Sequence, residues 1–195
     1  MPPTQPRGWY RKAGYHHRQL VASALHRGRE IVAAHGPLAL TLRGLARDLG
    51  VSAAALVRFF RNIAGLRAAV AEFVLERMEA ASALRHDAPT RTTRQMVGAW
   101  VAFAAENPGL YRLASGEPWH ERRAGSGFHG VRRVPSPRLL LENAFARGRR
   151  PTHLGRARRL AVAVHGLALA QMDGVPPPDV SDALDRAAAE FDARR

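Results

Sequence analysis

Between Thr41 and Phe60 the chain gathers residues suited to a phosphate backbone or a base edge: the hydroxyls of Thr41 and Ser52, the guanidiniums of Arg43 and Arg58, and the small side chains of Ala53 and Ala54. Each hydroxyl stands just before a short apolar-periodic run. It is therefore first an N-cap, worth about 1 kcal/mol to its helix. The same position aims a hydroxyl and free N–H groups at any anion lying against the helix start. Ala53 and Ala54 have nothing to hydrogen-bond a base with, so they offer methyl contacts and leave polar readout to Ser52, Arg58 and Arg43. A single arginine is usually just a solvated charge, and the cluster carries the weight. His16 and His17 are adjacent, so on a helix they cannot face one metal ion, and no carboxylate accompanies them. Phosphate contact or solvent exposure is the expectation for both.

A second group, Trp100, Phe103, Tyr111, His165 and Met172, joins apolar bodies to a few polar tips, which is the composition of a small-molecule pocket. The same spacing also fills an ordinary core, where a histidine pairs with a buried partner. Trp119 and Phe145 belong to the same pool of aromatics. A late arginine run (Arg147, Arg149, Arg150, Arg156, Arg158, Arg159) reads as a solvated face. Catalytic patterns are missing: there is no Gly-x-x-x-x-Gly-Lys loop and no His-Glu-x-x-His, and Gly125-Ser126-Gly127 lacks the strand-turn-helix setting of a nucleophile elbow. No catalytic residue, cofactor or metal is expected.

The elements that must hold these residues are helices. Leu20, Val21, Ala24, Leu25, Ile31 and Val32 recur at three- and four-residue steps, which predicts a helix over 17–35, ended by Gly36-Pro37. Leu42, Leu45, Ala46 and Leu49 are the inward face of a second helix, left through Gly50 in the αL conformation. Leu56, Phe59 and Phe60 are the inward face of a third, over 53–60. A small residue at the crossing, a glycine in the turn and apolar glue on both rods together make a helix-turn-helix. A break at 62–65 and a helix over 66–84 follow. Further helices are expected from Thr92 or Thr93 to Asn107, over 138–147, 153–172 and 181–191, with a short turn through Leu110, Tyr111 and Leu113 and a loop over 115–137. No strand pattern or repeat interrupts them.

Composition agrees. The 195 residues are 46% hydrophobic and 24% charged with a mean hydropathy of −0.25, and the net charge of +14 rests on arginine, since Lys12 is the only lysine. Up to Arg61, ten basic residues stand against two acids, Glu30 and Asp48. A polyanionic partner follows. The absence of cysteine rules out disulfides and thiolate chemistry and fits a reducing cytoplasm. Residues 1–14 read as a loose basic arm with no secretory signal, and the longest apolar stretch, 160–172, is too short to span a bilayer.

Several blocks resemble the TetR/AcrR family of bacterial transcriptional regulators: Tyr15-His16-His17, Gly36-Pro37, Thr41-Leu42-Arg43-Gly44-Leu45-Ala46, Gly50-Val51-Ser52 and Phe60. Farther on, Asn107-Pro108-Gly109-Leu110-Tyr111-Arg112-Leu113 and Val164-His165-Gly166-Leu167-Ala168 are similar to two elements of the ligand-binding domain named for its Trp-His-Gly motif. The family usually has a tyrosine, a histidine and a lysine where this sequence has Val57, Phe59 and Ile63, and Ala161 stands where the motif's tryptophan is expected.

The expectation is thus an all-α protein: a helix-turn-helix head over 15–65, and a helical body over 66–195 for ligand binding and dimerisation. The resemblance implies a homodimer that binds a double-stranded DNA operator and is released by a small-molecule effector. Its interface is expected on apolar faces carrying Leu160, Val164 and Leu167, and Leu184, Ala188 and Phe191. The alternative is a family member that senses a ligand or binds a protein without reading DNA sequence.

Overall fold

The computed structural model describes residues 8–81, 92–116, 137–146, 154–175 and 179–193, and among them every regular element is a helix. Helix α1 spans Gly8–His35. It therefore takes in residues 8–14, which the sequence analysis gave to a loose arm. No proline lies between Gly8 and Pro37 to interrupt it. Gly36, at φ 79°, turns the chain into a 3-10 turn over Pro37–Ala39, and α2 (Leu42–Asp48) and α3 (Ala53–Phe60) follow. Gly50 leaves α2 at φ 65°, a conformation costly for a side chain with a Cβ.

The link from α3 to α4 (Ile63–Ala81) is tighter than the break expected at 62–65. Arg61 sits at φ 60°, ψ −47°, and the Asn62 N–H donates to Phe60 O at 2.7 Å, closing a three-residue turn that non-glycine residues seldom adopt. Asn62 Oδ1 then accepts from the Gly65 N–H at 2.9 Å and starts α4 three residues earlier than predicted. A Cβ on Gly65 would lie 2.0 Å from Phe60 O, so only glycine fits there.

In the body, α5 (Thr93–Glu106) opens with a Thr92/Gln95 capping box, and Pro108 sits in the first turn of α6 (Pro108–Ser115). Helix α8 (Leu154–Met172) packs on α5, α7 (Pro137–Ala146) and α9 (Val180–Asp192). Thr93 Oγ1 donates to Asp192 Oδ1 at 3.0 Å, and Arg94 pairs with Asp185, fastening α5 to α9. The buried carboxylate of Glu142 is held by Arg138 at 3.3 Å and Arg158 at 3.2 Å, as a buried charge requires.

This packing corrects one expectation. Leu160, Val164, Leu184, Ala188 and Phe191 are buried within the single chain, and Phe191 meets Phe145 edge-on at 5.1 Å. The partly buried Leu167 packs against the same core. Periodicity identified an apolar stripe but not its partner, and α5 and α7 take it. The face of α8 left outward carries Leu154 and Val162. Most of the expected 115–137 loop, Trp119, and three arginines of the late run (Arg147, Arg149, Arg150) lie outside the described residues.

Head and body share one continuous core, because α6 lies on α1 and α4. Gly28 brings α1 against Val70 and Leu40, and Gly109 lets the α6 backbone press on α1, where a Cβ would come within 2.3 Å of Val32 O. No described helix is long and apolar enough to cross a membrane.

Candidate nucleic-acid interface

The two rods meet where the sequence placed their crossing. Leu45, Ala46, Leu56 and Phe60 are buried between them, and Val51 N–H donates to Ala46 O at 3.0 Å across the turn. Thr41 Oγ1 accepts from the Gly44 N–H at 3.1 Å, and Ser52 Oγ from the Ala55 N–H at 3.2 Å. Both hydroxyls are therefore N-caps, and both remain exposed, so their free lone pairs and O–H groups still face solvent.

The outward side of α3 carries Ala54, Val57 and Arg58, with Ala53 half-exposed at its start. Val57 is 41% exposed, a large fraction for an aliphatic side chain that the core could have taken. Phe59 and Ile63, by contrast, turn inward and pack against the core. Of the three positions where the resembled family carries polar groups, this chain thus points one apolar side chain outward and folds two away.

Electrostatics sharpens the face. Arg27 binds both acids of the head, Glu30 at 3.1 Å and Asp48 at 2.9 Å, and it is held above its ordinary pKa first by the Glu30 hydrogen bond and then by Asp48. Arg43, Arg47 and Arg58 are exposed and have no acidic partner among the described residues. Positive charge consequently gathers on the helix-turn-helix, where it can neutralise phosphates. His16 and His17 lie on α1, and their side chains fall outside the described residues.

One positioning contact escaped sequence reasoning. Arg67, on α4, donates from Nη2 to Leu40 O at 3.2 Å, holding the residue that leads into the Thr41 cap. The two residues are 27 apart, and no local pattern signals such a contact.

The second group separates in space. Trp100 and Tyr111 are fully buried, and the Tyr111 hydroxyl meets His165 Nδ1 at 2.6 Å. Burial pushes the Tyr111 hydroxyl up to about 12, with Trp100 and Ser115 opposing the shift, and burial followed by Arg138 lowers His165. Met172 is half-buried at the end of α8. Phe103 belongs elsewhere: with Arg29, Phe73, Val74, Arg77, Asn107 and Leu110 it lines a cavity of about 220 Å³ between α1, α4 and the α5–α6 corner. Among the described residues no three metal-binding side chains come together.

Residues 24–70 match the family model of the bacterial regulatory proteins of the tetR family. No curated protein sequence matches the chain. Among solved structures, the fold is similar to a protein of unknown function from Rhodococcus sp. RHA1, with 24% identity and a TM-score of 0.59 over 88% of this chain and 93% of that one. A proposed TetR-family transcriptional regulator from Rhodococcus sp. gives 17% identity and a TM-score of 0.55 over 90% and 98%. A proposed regulatory protein gives 20% and 0.57 over 97% and 98%. At these identities the likeness is one of fold.

Proposed function

We propose, from the premise that residues 24–70 are a TetR-type DNA-binding domain of a transcriptional regulator, that this chain is a repressor which a small molecule releases from its operator. The observation that carries the reading is the exposed start of α3, with Ser52, Ala54, Val57 and Arg58 outward, Ala53 half-exposed, and no acid left unpaired in the described head to oppose phosphate. Thr41, Ser52, Arg43 and the α1 residues His16 and His17 hold the backbone. Arg58 reads a base edge, and Ala53, Ala54 and Val57 supply apolar contacts to thymine methyls.

The repressor works as a homodimer in the cytoplasm and has no catalytic role. Two heads about 34–36 Å apart enter successive major grooves of a palindromic site. The dimer forms through the outward face of α8, where Leu154 and Val162 are exposed, because its inward stripe is used within the chain. The body is a ligand-binding domain of the Trp-His-Gly type, a reading supported by the Tyr111–His165 contact, which joins its two motif-like blocks. Trp100, Tyr111, His165 and Met172 are the ligand-binding candidates on that reading, while Phe103 lines the separate cavity between α1, α4 and the α5–α6 corner. Effector and DNA oppose each other reciprocally through the head spacing.

Footprinting of the purified protein on genomic DNA, in the presence of competitor DNA, tests this. A protected palindrome that Arg58→Ala relaxes at one base position is the expected result. The exposed apolar Val57 favours one other reading, a regulator-like fold that senses a ligand or binds a protein without reading DNA sequence. No footprint at all would favour that reading, and equal affinity for scrambled duplexes would mark a nonspecific binder driven by the arginines alone.

A further inference from the structure

Two cations in the seam between head and body share one aromatic ring. The Arg29 guanidinium carbon lies 4.3 Å from the Phe73 ring centroid, and that of Arg77 lies 6.0 Å from it. Stacking of this kind fixes the planar heads and leaves their N–H edges free to bind an anion. Neither arginine has a carboxylate partner among the described residues: the one polar contact of Arg29 is from Nη2 to His26 Nδ1 at 2.8 Å, and Glu30, its neighbour in sequence, is held by Arg27 and His26. The pair opens onto the 220 Å³ cavity, whose other walls are Phe103, Val74 and Leu110, with Asn107 at the rim. Asn107 donates one Nδ2 N–H to Phe103 O at 3.0 Å and carries no charge, so the two arginines are the charged groups of the lining. A cavity of about 150 Å³ is enough to hold a benzene ring, and here there is room for a ring and one charged substituent.

We infer that this seam is a binding site for a small organic anion with a flat apolar body, an aromatic carboxylate in the first instance. Its carboxylate bridges the guanidiniums of Arg29 and Arg77, and its ring lies among Phe73, Phe103 and Leu110. The cavity is bordered by α1 of the head and by α4, α5 and α6, next to the place where Gly109 presses α6 onto the α1 backbone at Val32. A guest there changes the seat of α1 on α6, which gives the ligand leverage on head orientation. That last step rests on the DNA-binding reading above. The site itself does not.

Benzoate and its neutral isostere benzamide are the probes, titrated into the DNA-free full-length protein by calorimetry and by amide NMR. Saturable benzoate binding that shifts the amides of Phe73, Phe103 and Leu110 is expected, with benzamide at least ~10-fold weaker, since it cannot accept the charge-assisted hydrogen bonds of the two guanidiniums. Arg77→Gln weakens benzoate by ~10-fold or more, and Arg77→Lys, which keeps the charge without the fork, falls between. Benzamide binding as well as benzoate, no saturation at millimolar benzoate, or shifts confined to the Tyr111–His165 region would each overturn the proposal. The benzoate and benzamide comparison needs no variant, so it stands even where a substitution impairs folding. Because no DNA is present, a failed footprint leaves this result untouched. Conversely, a footprint without benzoate binding sinks only the cavity proposal.

Discussion

The Tyr111 hydroxyl and His165 Nδ1, 54 residues apart, meet at 2.6 Å and tie α6 to α8. Both groups are held in their neutral forms. Burial raises the tyrosine to about 12 and lowers the histidine, the latter helped by Arg138. The hydrogen bond between these two neutral groups holds across the physiological range, its donor set by the imidazole tautomer, and a proton added to the half-buried imidazole carries a desolvation cost. It is therefore a structural fastening that acid can loosen.

Thermal stability should show this. The His165 pKa is lower in the folded than in the unfolded chain, so between those two values the unfolded state binds more protons and stability rises with pH. The contribution is complete above the ordinary histidine value of about 6.5 and is lost as pH falls through the folded value. Melting curves from pH 8 to pH 5 should drop more steeply for the native chain than for His165→Gln. Parallel slopes would remove His165 from the account. Tyr111→Phe at pH 7.5 removes the partner of a half-buried imidazole nitrogen and should cost ~1 kcal/mol.

Gly109→Ala puts a methyl group 2.3 Å from Val32 O, a backbone atom that cannot rotate away. Overpacking of this kind costs ~1–3 kcal/mol. For a chain of this length each kcal/mol lowers the melting temperature by about 2–4 °C. Because the clash opens the seam between α6 and α1, operator affinity should change as well. A variant that melts and binds like the native protein would show that the two helices are not in backbone contact.

Thr41→Ala and Ser52→Ala each remove one helix cap and should each cost ~1 kcal/mol in denaturant unfolding. Glycine at the same positions should cost only a few tenths, since it tolerates the cap conformation. If the hydroxyls also touch phosphate, the glycine variants lose DNA affinity out of proportion to their stability. Equal losses in both measurements would leave capping as their whole role.

Arg43→Ala should weaken DNA binding evenly across sequences and reduce the slope of log K against log salt by about 0.9, the signature of one lost phosphate contact on B-DNA. Arg58→Ala should instead relax preference at one base position. Gel shifts over a salt series, on the footprinted site and a scrambled duplex, separate the two. Identical behaviour of both variants would place both arginines on the backbone.

Local order was legible in the residues themselves. Periodicity marked the helices, and Thr41, Gly50, Ser52 and Pro108 set their ends through hydroxyl lone pairs, a positive φ and a missing N–H, effects that reach no farther than a turn of chain. That is why the helix-turn-helix and its caps emerged from sequence. The Arg61 turn was not legible, since it stands in a conformation that arginine seldom adopts unless its surroundings impose it. Nor could the pattern say which neighbour covers an apolar stripe. Leu160 and Phe191 were expected between two copies and instead fill one core, because hydrophobic attraction has no direction and the packing of α5 and α7 decided the matter. The meeting of Arg29 with Arg77 over Phe73, and of Tyr111 with His165, likewise came from tertiary packing: each contact joins separate helices, and only their relative placement brings the side chains within reach.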